Sequence, residues 1–132
     1  MIGPAEAAAL EACLRDGGVA VFPADTVYGL ACDPENPAAV EALSALKGRP
    51  SDKPAAVLFF ALDRALAALP ELEGRMRAAV EALLPGPLTV LLPNPRRRYA
   101  LACGPDRETL GLRVPVFGEM RTSAKLIFPL LA

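Results

Sequence analysis

The sequence predicts an α/β or mixed α+β domain, on three observations. Short apolar runs of strand length alternate with segments of helical spacing. Proline and glycine, 14 and 10 in number, punctuate the junctions. Hydrophobic residues make up 53% of 132 positions, which suits one core and excludes a disordered chain. No internal repeat or low-complexity linker interrupts residues 1–132, so they read as a single domain.

The elements follow in order. Pro4 to Asp16 reads as a helix, with Pro4 in its first turn, Leu10, Cys13 and Leu14 on one face, and Gly17-Gly18 ending it. Val19 to Phe22 is a buried strand stopped by Pro23. Asp25 to Cys32 is a loop with a possible strand. Asn36-Pro37 caps and opens a second helix, on which Val40, Leu43 and either Leu46 or Lys47 keep helical spacing until Gly48 and Pro50. Ala55 to Phe60 is a strand, and Leu62 to Leu69 a short helix or turn. Leu72 to Leu84 is a helix with Met76, Val80, Leu83 and Leu84 turned inward. Leu88 to Leu92 and Leu110 to Val114 are strands bounded by proline, joined by a basic loop, Asn94 to Thr109, expected to be mobile. The last residues, Leu126 to Ala132, are apolar apart from the break at Pro129 and must pack somewhere.

Composition removes several functions. The chain has no histidine and no CxxC pair, which excludes histidine-based catalysis and argues against a zinc site. Cys13, Cys32 and Cys103 are odd in number and widely spaced, as in a reduced cytosolic protein rather than a disulfide framework. No apolar run approaches the roughly 20 residues that span a bilayer, and no secretory signal is present, so the expectation is cytoplasmic with no membrane partner. There is no GxxxxGK[ST] and no GxGxxG after a strand. Charge is uneven: residues 1–95 carry 7 basic and 12 acidic side chains, residues 96–132 carry 7 and 3. Such asymmetry points to a basic face meeting an anion.

Four segments could carry chemistry. Phe22-Pro23-Ala24-Asp25-Thr26-Val27-Tyr28-Gly29-Leu30 follows a strand, where α/β ligands usually sit, and Thr26 and Tyr28 supply hydroxyls. Leu46-Lys47-Gly48-Arg49-Pro50-Ser51-Asp52-Lys53-Pro54 sets three cations on a loop stiffened by proline, suited to phosphate oxygens. Pro85-Gly86-Pro87-Leu88-Thr89 is a rigid turn into a strand with a hydroxyl at its start. Leu112-Arg113-Val114-Pro115 places an arginine in an apolar strand, where it needs a carboxylate from the protein or from a ligand.

Together and in this order, with Cys32-Asp33-Pro34 between the first two, these segments resemble the YrdC (TsaC) family of threonylcarbamoyl-AMP synthases over roughly residues 5 to 115. The resemblance implies a twisted mixed sheet with flanking helices around a basic cavity. It implies a nucleotidyltransferase that joins L-threonine, bicarbonate and ATP, with Mg²⁺ on the phosphates, into threonylcarbamoyl-AMP and pyrophosphate for tRNA modification. Carried over residue by residue, it puts the catalytic KxR element on Lys47 and Arg49. It puts substrate contacts on Thr26, Tyr28, Lys53, Thr89, Arg113 and Ser123, with Arg113 holding the threonine carboxylate.

Departures are visible too. Ala24 stands where the family usually has threonine. Residues 116–132 diverge: Arg121-Thr122-Ser123-Ala124-Lys125 is either a shortened form of the family's STSAN-like loop, with Lys125 in place of Asn, or unrelated sequence. Material that follows this loop in the family is missing. A shortened sheet exposes an edge, so the tail should dock over the gap or the chain should form a homodimer. The alternative to an active enzyme is a catalytically incomplete relative that binds nucleotide or double-stranded RNA through Arg96-Arg97-Arg98. A carbamoyl-transfer module is a third reading, although the zinc and acyl-phosphatase parts of such proteins are not seen.

Overall fold

The structure, a computed structural model, describes residues 4–23, 28–48, 54–116 and 125–129. Helix α1 (Pro4–Arg15) leads into strand β1 (Ala20–Pro23), which pairs antiparallel with β2 (Tyr28–Ala31). Helix α2 spans Pro37–Lys47 and strand β3 Ala55–Phe59. Helices α3 (Leu62–Ala68) and α4 (Gly74–Leu83) follow, then β4 (Val90–Pro93), β5 (Thr109–Arg113) and β6 (Lys125–Pro129).

Local chemistry sets the boundaries. Asn36 caps α2 by accepting from the Ala39 N–H at 3.2 Å, and Pro37 supplies its pre-set first turn. Gly48 ends α2 in the left-handed region, at φ 63°, where a side chain would be strained. Leu46 faces solvent while Lys47 is half-buried, so the buried stripe of α2 runs through Val40, Leu43 and Ser44 toward Lys47.

Four strands form one sheet in the order β4-β5-β3-β6. The central pair, β3 and β5, is parallel, with Val57 opposite Leu112 and Leu58 opposite Arg113. Both outer pairs are antiparallel. Val57, Phe59, Leu110 and Leu112 face a core completed by Val40, Leu43, Ala65, Leu69 and Val80 from three helices. Ala56 and Leu58, on the other face of β3, are equally inaccessible. A strand buried on both faces explains why Ala55 to Phe60 reads as an unbroken apolar run rather than an alternation.

Three expectations are corrected. Met76 and Leu83 were expected inward, but they are 39% and 46% exposed. Helix α4 is shorter than its apolar spacing suggests and touches the core through Val80 and Leu84. The connection between β4 and β5, expected to be mobile, is cross-braced by the buried side chain of Asn94. The apolar tail docks in its backbone: β6 pairs along all of β3, from Ala55 opposite Pro129 to Phe59 opposite Lys125. The mixed sheet with flanking helices agrees with the predicted fold class.

Burial gives a contrast that stability can test. Leu112 is fully buried and Leu91, on edge strand β4, is 65% exposed. Leu112→Ala is expected to lower unfolding free energy by about 2–5 kcal/mol, and Leu91→Ala by no more than about 0.5 kcal/mol, in urea titrations.

Candidate functional site

The best-defined part of the site is a pair, Arg113 and Thr89. Arg113 closes β5, and alternation along that strand turns it away from the helix-covered face that takes Leu110, Leu112 and Val114. One terminal nitrogen of its guanidinium donates to the Thr89 hydroxyl at 3.1 Å. Thr89 directly precedes Val90, which pairs with Leu112, so the strand register delivers the hydroxyl to the arginine. The turn before it is pinned: the Gly86 N–H donates to the Val114 carbonyl at 3.0 Å. A Cβ on Gly86 would lie 2.9 Å from the Leu83 carbonyl oxygen, so only glycine fits this turn unshifted.

The pair lies at the carboxyl end of two parallel strands, β3 and β5, the usual ligand side of an α/β sheet. The backbone of Lys125 reaches the same end, opposite Phe59. The Thr89 hydroxyl accepts from one arm of the guanidinium and fixes its orientation. This geometry suits a carboxylate or phosphate.

Lys47 is half-buried at the last turn of α2, and among the described residues it has no ion pair. Tyr28 opens β2 opposite Pro23, with only its backbone described. Thr26, Arg49, Lys53 and Ser123 lie outside the described residues.

Two cavities lie away from this pair. One of about 190 Å³ is lined by Leu69, Leu72, Met76, Leu92 and Leu110, with Glu71 and Glu73 beside them. Another, of about 470 Å³, lies between α2 and the β4–β5 loop, with Glu41 and Arg107 as its charged lining. Neither includes Lys47, Thr89 or Arg113. Among the described residues no group of three or more His, Cys, Asp or Glu side chains could hold a metal ion.

Cys32 and Cys103 are not poised as nucleophiles. All three cysteines are free. Burial, and then the neighbouring Asp33 carboxylate, pushes the Cys32 thiol up to about 12. Burial also raises Cys103, partly offset by its hydrogen bond from Asn94. Both stay protonated at neutral pH, whereas the thiolate is the reactive form.

Sequence reading missed Asn94 and the Arg98–Glu71 pair. The signal for Asn94 was an asparagine before proline at a strand end, a frequent turn-former. Arg98 was read only as part of a basic run, yet its Nε donates to Glu71 Oε1 at 2.7 Å and pins the loop to the α3–α4 connection.

Comparison with known proteins places the chain. The Sua5_yciO_yrdC family profile, described as "Telomere recombination", matches residues 12–130. The chain belongs to the Sua5/YciO/YrdC family. Within this family it is 42% identical over 102 residues to the threonylcarbamoyl-AMP synthase of Halorhodospira halophila, covering 76% of this chain and 52% of that protein. It is 37% identical over 105 residues to the Vibrio vulnificus protein of the same name, covering 76% and 55%. The chain thus spans about half the length of the curated relatives it matches. Its fold is shared with P. abyssi Sua5: a doubly substituted variant superposes with a TM-score of 0.79 at 24% identity, over 97% of this chain and 40% of that one. The P. abyssi protein solved with L-threonine gives 0.73, also at 24% identity, over 98% and 39%. The family match runs beyond residue 115 and takes in β6.

The Arg98 contact generates a pH test. Its hydrogen bond holds the Glu71 carboxyl below the usual carboxylate range. The folded chain therefore binds that proton more weakly than the unfolded chain, and the pair stabilises above about pH 4.3. That contribution is lost as pH falls below this point, through the lowered folded value. Glu71→Gln is expected to flatten the acid limb of stability against pH while leaving the slope at neutral pH unchanged, read by urea midpoints from pH 3 to 7.

Proposed function

We propose that this chain carries the threonylcarbamoyl-AMP synthase activity of its named relatives, making threonylcarbamoyl-AMP and pyrophosphate from L-threonine, bicarbonate and ATP. The observation that carries the reading is the Arg113–Thr89 pair. It sets an oriented guanidinium at the carboxyl end of the parallel strands in a chain whose relatives bear that name. The L-threonine in the P. abyssi structure supports an amino acid as the partner of this arginine.

The chemistry needs no histidine. Threonine's amine adds to the carbon of bicarbonate and water leaves, giving a carbamate that is already an anionic nucleophile. A carbamate oxygen attacks the α-phosphorus of ATP, and pyrophosphate leaves with the electrons of the broken P–O bond. Such a step depends on alignment and charge neutralisation. Arg113 would hold the threonine carboxylate, with Thr89 fixing one arm of the guanidinium. Lys47, Arg49 and Lys53 would neutralise the triphosphate, with Thr26, Tyr28 and Ser123 contacting substrate. The adenylate would serve tRNA modification, in the cytoplasm. Buried free cysteines agree with a reducing compartment, and no helix among the described residues is long and apolar enough to cross a membrane.

A second reading is a catalytically incomplete form that retains nucleotide or double-stranded RNA binding, as a monomer or a homodimer. The braced β4–β5 loop that leaves Arg96 and Arg97 exposed favours it. Labelled ATP, threonine and bicarbonate separate the two. Threonine-dependent pyrophosphate and adenylate are expected; ATP binding without product would establish the second reading. Arg113→Ala is expected to weaken threonine by about 10- to 100-fold, the scale of roughly 1.5–3 kcal/mol for a charge-assisted contact. Unchanged threonine affinity would remove Arg113 from the site.

A further inference from the structure

We propose that the cavity beside Glu71 is a second ligand site, for a small apolar molecule that ends in a protonated amine. The site is separate from the Arg113–Thr89 pair and does not depend on the activity proposed above. Its volume is about 190 Å³. Pockets for drug-sized ligands run from roughly 300 to 1,000 Å³, and a water-sized group occupies about 30 Å³, so this cavity takes roughly six heavy atoms. Its floor is the helix-covered face of the sheet, through the buried Leu92 of β4 and Leu110 of β5. Leu69 and Leu72 line it from the α3–α4 connection, and Met76 of α4 stands exposed at its mouth. These walls suit an alkyl body.

One carboxylate oxygen points to the ligand. Glu71 Oε1 accepts from Arg98 Nε at 2.7 Å. Glu71 Oε2 is buried and accepts from no donor among the described residues. The Arg98 contact also lowers the Glu71 pKa, so the group is an anion at neutral pH. A buried anionic oxygen without a donor is costly, and an ammonium supplies one. The rest of the lining agrees in sign. Glu73 also faces the cavity, and no basic residue lines it. Glu73 holds the cap position of α4 without a side-chain capping bond, and it forms no ion pair among the described residues. Its charge offsets the positive amino end of α4, which alone would disfavour a cation there. Arg98 is engaged by Oε1, and Arg96 and Arg98 act on Glu71 from outside the lining.

The chemistry separates an amine from other occupants. A carboxylate or phosphate would meet two like charges. An alcohol can donate to Oε2 but brings no charge to balance Glu71 and Glu73. Met76, unbranched and polarizable, adjusts readily to the alkyl end. Glu71→Gln keeps an oxygen for Arg98 and puts an amide nitrogen, a donor, where Oε2 accepts. Met76→Trp fills the mouth from a position at the surface, so it tests the location and leaves the core alone.

The experiment titrates the full chain with isoamylamine, which has the required size, and with isoamyl alcohol and isocaproate. Binding heat and the methyl resonances of Leu92 and Leu110 are followed in wild type, Glu71→Gln, Glu73→Gln and Met76→Trp. The amine is expected to bind wild type at least about tenfold more tightly than the alcohol, the scale of one charge-assisted hydrogen bond, with isocaproate not bound. Glu71→Gln should weaken the amine by about tenfold and the alcohol by less than about twofold. Glu73→Gln, at the exposed rim, should weaken the amine by about two- to threefold. Met76→Trp should weaken both amine and alcohol. A lysine blocked at both backbone ends, whose amides exceed the cavity, should bind more weakly than isoamylamine. If Glu71→Gln does not fold, the wild-type ratio of amine to alcohol and the Glu73→Gln result decide the matter. Equal affinities for amine and alcohol would overturn the proposal, as would amine binding unchanged by Glu71→Gln or Met76→Trp. Leu110 methyls that do not shift with amine would also overturn it, leaving water as the occupant. A blocked lysine that binds as tightly as the free amine would overturn the small-molecule assignment in favour of a partner protein's lysine.

Discussion

The parallel pairing of β3 with β5 is the constraint on which the rest of the molecule depends. Two parallel strands cannot be joined by a tight turn; the chain must travel back along the sheet. Here the return path includes α3, α4 and β4. Two of its helices cover one face of the sheet, and β4 extends it beside β5. Both carboxyl ends then lie together, and Arg113 stands at that end of the sheet. The sheet's central apolar side chains, Val57 and Leu112, hold that arrangement with no accessible surface.

A cation beside such a core is expensive unless its donors find oxygens. The Thr89 hydroxyl satisfies part of this requirement and orients one arm of the guanidinium. The contrast with Arg98 is instructive. That arginine is matched by Glu71 and serves to tie down a loop. Two arginines of one short chain thus sit in different surroundings, one against a hydroxyl and one against a carboxylate.

Much of the fold was legible because its signals are local. Asn36-Pro37 and Gly48 mark α2 at both ends, and the apolar run Ala55 to Phe60 announces a strand covered on two sides. Met76 and Leu83 misled because helical spacing reports which residues share a face, not how far the sheet extends beneath them. The order of strands was not readable, since β6 reaches β3 across almost the whole sequence and is selected by tertiary packing. At the site, Arg113 stood out as a charge in an apolar strand, and its contact with Thr89 follows from register. Asn94 was missed because its partners are backbone carbonyls, which leave no trace in side-chain composition.

The chain contains no glutamine and only two asparagines, Asn36 and Asn94. One caps a helix and the other braces a loop, and each is followed by proline. Spontaneous deamidation ordinarily begins when the next residue's backbone nitrogen attacks the asparagine side chain. Proline has no N–H to give up, so this route is closed at both positions. The two amides that hold local geometry are therefore also protected from the commonest chemical ageing of proteins, and the architecture they support should outlast long exposure to heat.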